Sequence, residues 1–183
     1  MICEYCGKRF VKEAAFLKHH CKMMDRFANF DEATFDLYVT WSKGSGSYYP
    51  CDKSEMRMRF VKSTYYPDFV KLRQFQLQQG FGDDTAYAFY LGENRINKFT
   101  WCLQGIFNKF VAYRAQNENY ALSVDRSKRY LESRGYTLET CPMYLLYKFL
   151  MTGVISKNIF EEKKIDPKTV FPKEWLENLA QVL

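Results

Sequence analysis

Three of the six cysteines and both histidines of this 183-residue chain fall within "CEYCGKRFVKEAAFLKHHC", residues 3–21. The spacing is Cys3-x2-Cys6-x12-His19-x-Cys21. Two cysteines three positions apart form a tight knuckle that aims both thiolates at one ion, and Gly7 stands at its turn. Phe10, Phe16 and His19 then follow at the intervals of a strand-strand-helix zinc finger. In such a unit an aromatic and an apolar helix residue close a tiny core against the metal-binding imidazole. A unit of this size buries too little surface to fold unaided, so zinc supplies the missing stabilisation. The expected ligands are Cys3, Cys6, His19 and Cys21. The alternative is a metal-free hairpin with coincidental cysteines.

The fourth ligand departs from the usual pattern. Fingers of this type place it three to five residues after the first histidine. Cys21 follows His19 by two, a rotation of about 200° on a regular helix, so the two could not face one ion. The helix must therefore end or tighten at His19. His20 is the competing ligand, adjacent to both candidates. Four protein ligands leave no open position for a reacting water, which makes the expected zinc structural.

Residues 22–183 contain no histidine. Ser-His-Asp, Cys-His and His-metal nuclease chemistry are therefore excluded from the body of the protein. Acidic pairs such as Asp83-Asp84 and Glu161-Glu162 suit helix starts or solvated faces, and the chain is not expected to be an enzyme. Cys51, Cys102 and Cys141 stand singly in aromatic-rich sequence and read as buried thiols of a reduced, cytoplasmic protein. No membrane-length apolar run and no signal peptide is visible.

The net charge of +6 favours anionic partners modestly. Basic residues gather in the finger (Lys8, Arg9, Lys12, Lys18) and again over 57–73 (Arg57, Arg59, Lys62, Lys71, Arg73). The second stretch carries Tyr65 and Tyr66. Cations neutralise phosphates and exposed rings stack on unpaired bases, so these eleven positions are the candidate nucleic-acid contacts. The competing reading is a solvated helix face with two core tyrosines. Arg126, Lys128, Arg129 and Arg134 form a third group that reads as plain helix surface. Lys12 and Glu13, near the finger's helix start, do not make a clear base-reading set.

The elements that must position these residues are mostly helical. Asp31 can cap a helix over 32–42, Ser54 one through "SEMRMRFVK", and Pro67 opens one that stops at Gly80. Further helices are expected near 84–92 and 98–114, from Ser123 to Gly135, from Pro142 to Gly153, and from Pro172 onward. "SKGSGS", residues 42–47, reads as a flexible connection. The expected fold is mainly α: a ββα-type zinc finger over 1–24, then a compact all-α domain over 25–183 with a loop near 42–48.

The amino-terminal motif, together with "KSTYYPDFVKLRQF", "INKFTWCLQGIF" and "VDRSKRYLESRG", resembles a group of zinc-finger proteins of T-even-type tailed phages. "YYPDFVKL" and "MYLLYKFLMTGVISKNIF" are also similar to segments of the helicase-loading protein of those phages, an all-α protein that binds forked and single-stranded DNA. The loader lacks the finger. The resemblance implies a zinc-containing accessory factor in the cytoplasm of an infected bacterium. Such a factor would bind single-stranded or forked DNA and a phage replication protein. Two rivals stand beside it: a transcription regulator docking on RNA polymerase through the finger, and a virion structural component.

Overall fold

Five helical elements start where a short polar side chain meets a free backbone amide. Asp31 accepts from the Thr34 amide, Asp52 from Glu55, Asn97 from Phe99, Asn119 from Ala121 and Asp166 from Lys168. The computed structural model describes residues 1–79 and 85–182. Its helices are α1 (Glu13–Leu17), α2 (Lys22–Ala28), α3 (Glu32–Gly44), α4 (Lys53–Lys62), α5 (Tyr66–Gln78) and α6 (Ala86–Glu93). A 3-10 turn (Lys98–Thr100) precedes α7 (Gln104–Asn117), α8 (Tyr120–Ser133), α9 (Met143–Met151), α10 (Asn158–Glu162), α11 (Pro167–Val170) and α12 (Lys173–Val182).

The protein is mainly α, and no strand forms among the described residues. The expected ββ portion of the finger reduces to one antiparallel bridge, Ile2 to Arg9. Beside it the Met1 ammonium donates to the Phe10 carbonyl and the Phe10 amide to the Met1 carbonyl, and the Cys3 amide donates to the Lys8 carbonyl at 2.9 Å. The knuckle turns so sharply that the ladder ends after this one bridge.

The chain divides into two units, Met1–Arg73 with Ala88–Ile96, and Gln74–Tyr87 with Asn97–Leu183. Residues 1–24 fall inside the first. Its core is a ring network centred on Phe60, which is fully buried on α4. Phe35, Tyr38, Tyr66 and Phe69 surround it at centroid distances of 4.9–6.2 Å. Residues 42–44, read from the sequence as flexible, are the last turn of α3, and Ser42 is buried. Gly44 and Gly92 let α3 and α6 touch backbone to backbone. A Cβ on Gly44 would lie 2.5 Å from the Phe89 carbonyl oxygen, and one on Gly92 would lie 2.4 Å from that of Trp41.

In the second unit Tyr87, Trp101, Phe107 and Phe110 are buried together. The helix expected over 98–114 is broken between Thr100 and Gln104. On an unbroken helix Trp101 and Phe110 would point about 180° apart, yet both are buried. The break lets both rings turn inward, and Tyr87 donates its hydroxyl to the Trp101 carbonyl at 2.7 Å. Asn119, not Ser123, caps α8. Ser123 lies a turn inside, buried, bonding back to the Tyr120 carbonyl. Likewise Asp52, not Ser54, caps α4. Gly80 and Asp84, expected to mark helix ends, lie outside the described residues, as does Asp83.

Candidate metal centre

Gly7 adopts φ +73°, the left-handed turn that a residue with a Cβ resists. Its amide donates to the Cys3 carbonyl at 2.8 Å, closing the knuckle. α1 then runs for five residues, buries none of them, and ends at Leu17, two residues before His19. Cys21 is extended (φ −139°, ψ 154°) at the start of α2. The helix therefore stops early enough for His19 and Cys21 to converge despite their close spacing.

The donor atoms of Cys3, Cys6, His19 and Cys21 all lie within 4.8 Å of one another. The Cys6 Sγ stands 3.3 Å from His19 Nε2. Zinc bonds of about 2.3 Å to sulfur and 2.0–2.1 Å to nitrogen place tetrahedral donors roughly 3.5–3.8 Å apart, so the four residues fit such an ion. Cys3 is buried, His19 and Cys21 are half-buried, and Cys6 faces solvent. His20 is turned elsewhere: its Nε2 meets Asp25 Oδ1 at 2.5 Å on the exposed side. Of the adjacent histidines, His19 and not His20 belongs to the donor cluster.

Backbone amides point at the sulfurs. The Cys6 amide, followed by that of Tyr5, holds the Cys3 thiol below its ordinary value. The Lys8 amide favours the Cys6 thiolate in the same way. Burial and the neighbouring Cys3 and Cys21 sulfurs outweigh it and leave that thiol raised. A bound cation removes the mutual repulsion of the sulfurs, which is the electrostatic role the site assigns to it. Phe10 completes the small core, 4.7 Å from the His19 ring and 5.8 Å from Phe16.

α2 joins this centre to the rest of the first unit. Tyr5 of the knuckle packs edge-on against Phe27 at 5.2 Å. The residue before Phe27, buried Arg26, donates to the carbonyls of Val61 (2.7 Å) and Ser63 (3.1 Å) at the end of α4. It therefore satisfies carbonyls that a helix terminus leaves without partners. Arg26 also lies over the Tyr66 ring at 4.8 Å.

The candidate nucleic-acid contacts separate into two sets. Lys8, Arg9, Lys12, Lys18, Arg59, Lys62 and Lys71 are exposed, Arg59 while donating two bonds to Glu55 Oε1. Arg57 is half-buried, paired with Glu32 and stacked on Phe30. Arg73 is half-buried with its charge near Asp31. Tyr65 is half-buried against Trp41 at 4.8 Å. Tyr66 is a core residue: it is buried against Phe60 and donates its hydroxyl to the Arg26 carbonyl at 3.2 Å. It cannot stack on a base.

Two exposed rings of the first unit lie elsewhere, at the end of the expected connection and just after it. Tyr49 is 63% exposed with the Arg59 guanidinium 5.0 Å from its centroid, and Lys43 sits 5.3 Å over Tyr48. The signal was the "YYP" following Lys43. Of the third basic group Arg126 alone is no plain surface, and Arg134 is exposed as expected. Arg126 grips Glu118 with two bonds and also donates to the Gly153 and Val154 carbonyls, while Lys128 and Arg129 pair with Glu162 and Asp125. Of the lone cysteines only Cys141 is buried; Cys51 is half-buried and Cys102 exposed.

Comparison with protein-family models, with curated proteins and with solved structures finds no match. Among the described residues no helix is long and apolar enough to cross a membrane. Fold and site together define an all-α protein with an amino-terminal Cys3His cluster able to hold a metal ion such as zinc.

Proposed function

We propose that the chain is a zinc-stabilised, non-enzymatic accessory factor that binds single-stranded or forked DNA. The phage resemblance extends this reading to DNA replication, with a replication protein, in the manner of a helicase loader, as the second partner. Cys3, Cys6, His19 and Cys21 hold the zinc, whose work is structural. The observation that carries the nucleic-acid reading is an exposed ring beside cations: Tyr49 with Arg59, and Tyr48 with Lys43. Lys62 and Lys71 of the same unit, and Lys8, Arg9, Lys12 and Lys18 of the finger, add exposed positive charge. Rings of this kind stack on any base, and the cations track the phosphates without reading sequence.

Fluorescence anisotropy with labelled single-stranded, forked and duplex oligonucleotides tests it. With about four phosphates engaged, single-strand affinity drops roughly fifty-fold between 50 and 200 mM salt. Tyr49→Ala weakens binding about ten-fold, the usual worth of one stacked base. Salt-independent binding, or none, overturns the reading.

One observation favours a protein partner for the finger. Val11 is fully exposed, Leu17 is 75% exposed and Ile2 57%. This supports the second reading, a finger that docks on RNA polymerase or on a replication protein. A Val11→Asp, Leu17→Asp pair that keeps its zinc and loses a nuclease-resistant polymerase complex would favour it; an unchanged complex would remove it.

A further inference from the structure

Two concavities in the second unit invite a ligand, and their sizes separate them. One lies beside Arg126, where the Glu118 carboxylate already takes two bonds from that guanidinium. Arg114 and Lys157 also line it, and it offers only about 40 Å³. The other is an open groove of about 420 Å³ between the end of α5, the end of α8 and α9. That volume suits a small organic molecule.

Among the described residues no carboxylate lines this second groove, while Arg134 and Lys148 both do. Both side chains are exposed, and neither forms an ion pair among the described residues. The remaining wall is aromatic and apolar. Tyr130 and Phe149 meet edge to face at 5.0 Å, and the Arg134 guanidinium lies 5.6 Å from the Tyr130 centroid. Leu77 adds an exposed apolar edge and Gln78 an amide with both a donor and an acceptor.

A helix ending builds the last wall. After α8, Gly135 takes φ +76°, its amide bonding the Glu132 carbonyl while the Tyr136 amide bonds that of Leu131 at 2.9 Å. This paired arrangement folds the chain back. It returns Tyr136, half-buried, to the groove that Tyr130 and Arg134 line from the last turn of the helix.

We infer that this groove binds a nucleoside phosphate, with the base against the Tyr130, Tyr136 and Phe149 rings and the phosphate at Arg134 and Lys148. An apolar peptide would not need the two cations, and a bare anion would not need the rings. A planar aromatic group joined to an anion uses both. The same unit is offered by a free nucleotide and by one residue of a single strand. The groove lies in the second unit and uses none of the residues assigned above to DNA, so it stands or falls separately from that assignment.

Photocrosslinking of the full-length, zinc-loaded protein tests it in two arms. One uses azidoadenosine monophosphate and the other an iodouracil-substituted oligothymidylate, with adducts mapped by mass spectrometry. The expected result is an adduct within residues 130–149 in at least one arm. An adduct in the first arm identifies free nucleotide as a ligand; one in the second arm alone identifies a strand subsite. Arg134→Ala and Lys148→Ala should each weaken that binding about ten-fold, as loss of one charge-assisted hydrogen bond does. Both side chains are exposed, so an unchanged thermal melt and zinc content show that these variants are folded. Adducts confined to other segments in both arms, or affinity unchanged in the Arg134→Ala, Lys148→Ala pair, overturn the inference. Strand binding that survives this pair leaves the Tyr49 surface standing. Nucleotide binding without strand binding does the reverse.

Discussion

The metal centre and the second unit reach order by opposite routes. α1 buries no residue at all, and among residues 1–21 only Cys3 is buried. The second unit buries Tyr87, Trp101, Phe107, Phe110, Leu131 and Phe160 almost completely. Where apolar side chains fill an interior, their removal from water stabilises the fold at about 25 cal/mol per Å². Where they do not, a few donor atoms around one ion must do so. The knuckle should therefore be sensitive to its ligands and indifferent to most other substitutions. The helical core should show the reverse pattern.

Substitutions can break this contrast, and the largest effect falls on the ligands. Cys6→Ala should lower zinc affinity more than about a hundred-fold, since even outer-shell changes cost ten- to a hundred-fold. Amide protection in residues 1–21 should vanish while far-ultraviolet dichroism retains the helices. Global unfolding in this variant would mean that the centre supports more than its own segment. Phe107→Ala comes next. Its ring is fully buried against Phe75, Tyr87 and Phe110. Denaturant titration should show a loss of about 3–5 kcal/mol with zinc content unchanged.

Arg26→Ala tests the link between the centre and the first unit. It leaves the Val61 and Ser63 carbonyls without the buried guanidinium that now donates to them. A loss of about 2–3 kcal/mol is expected, with exchange protection falling first in α2. His20→Ala should be the mildest. Its ring contacts Asp25 on the exposed side, away from the sulfurs. Stability should move by less than about 0.5 kcal/mol and zinc stoichiometry not at all. Loss of zinc in this variant would show that the wrong histidine has been assigned.

Legibility in the sequence followed the same divide. The clustering of Cys3, Cys6, His19 and Cys21 was readable because their spacing is a local property, and so was the early end of the helix before Cys21. Asp31 was readable as a cap because Phe35 and the stripe beyond it begin at once. Ser54 and Ser123 misled because each stands within a turn or so of a better cap, Asp52 and Asn119. Trp101 and Phe110 read as one helix because both are large apolar residues of one run, although nine residues place them about 180° apart, which already marks the break. α10 and α11, at five and four residues, are too short for any period to show.

The basic surface was half legible for a related reason. Composition located the cations, but neither burial nor ring direction is written in a Tyr-Tyr pair. Tyr65-Tyr66 begins a helix that packs on Phe60, so Tyr66 turns inward. Tyr48-Tyr49 follows the last turn of α3 and stays exposed beside Lys43 and Arg59. The groove beneath Arg134 and Lys148 depends on a helix ending at Gly135 and on three helices meeting, which no local pattern encodes.

Metal content bears most directly on the whole account. Protein purified without chelator or added metal, analysed by inductively coupled plasma mass spectrometry, should carry one zinc per chain. Replacing zinc by cobalt(II) should give the absorption of a tetrahedral site with three thiolates and one imidazole, lost in Cys21→Ala. A chain that carries no metal, takes up no cobalt and still protects the amides of residues 1–21 would contradict it.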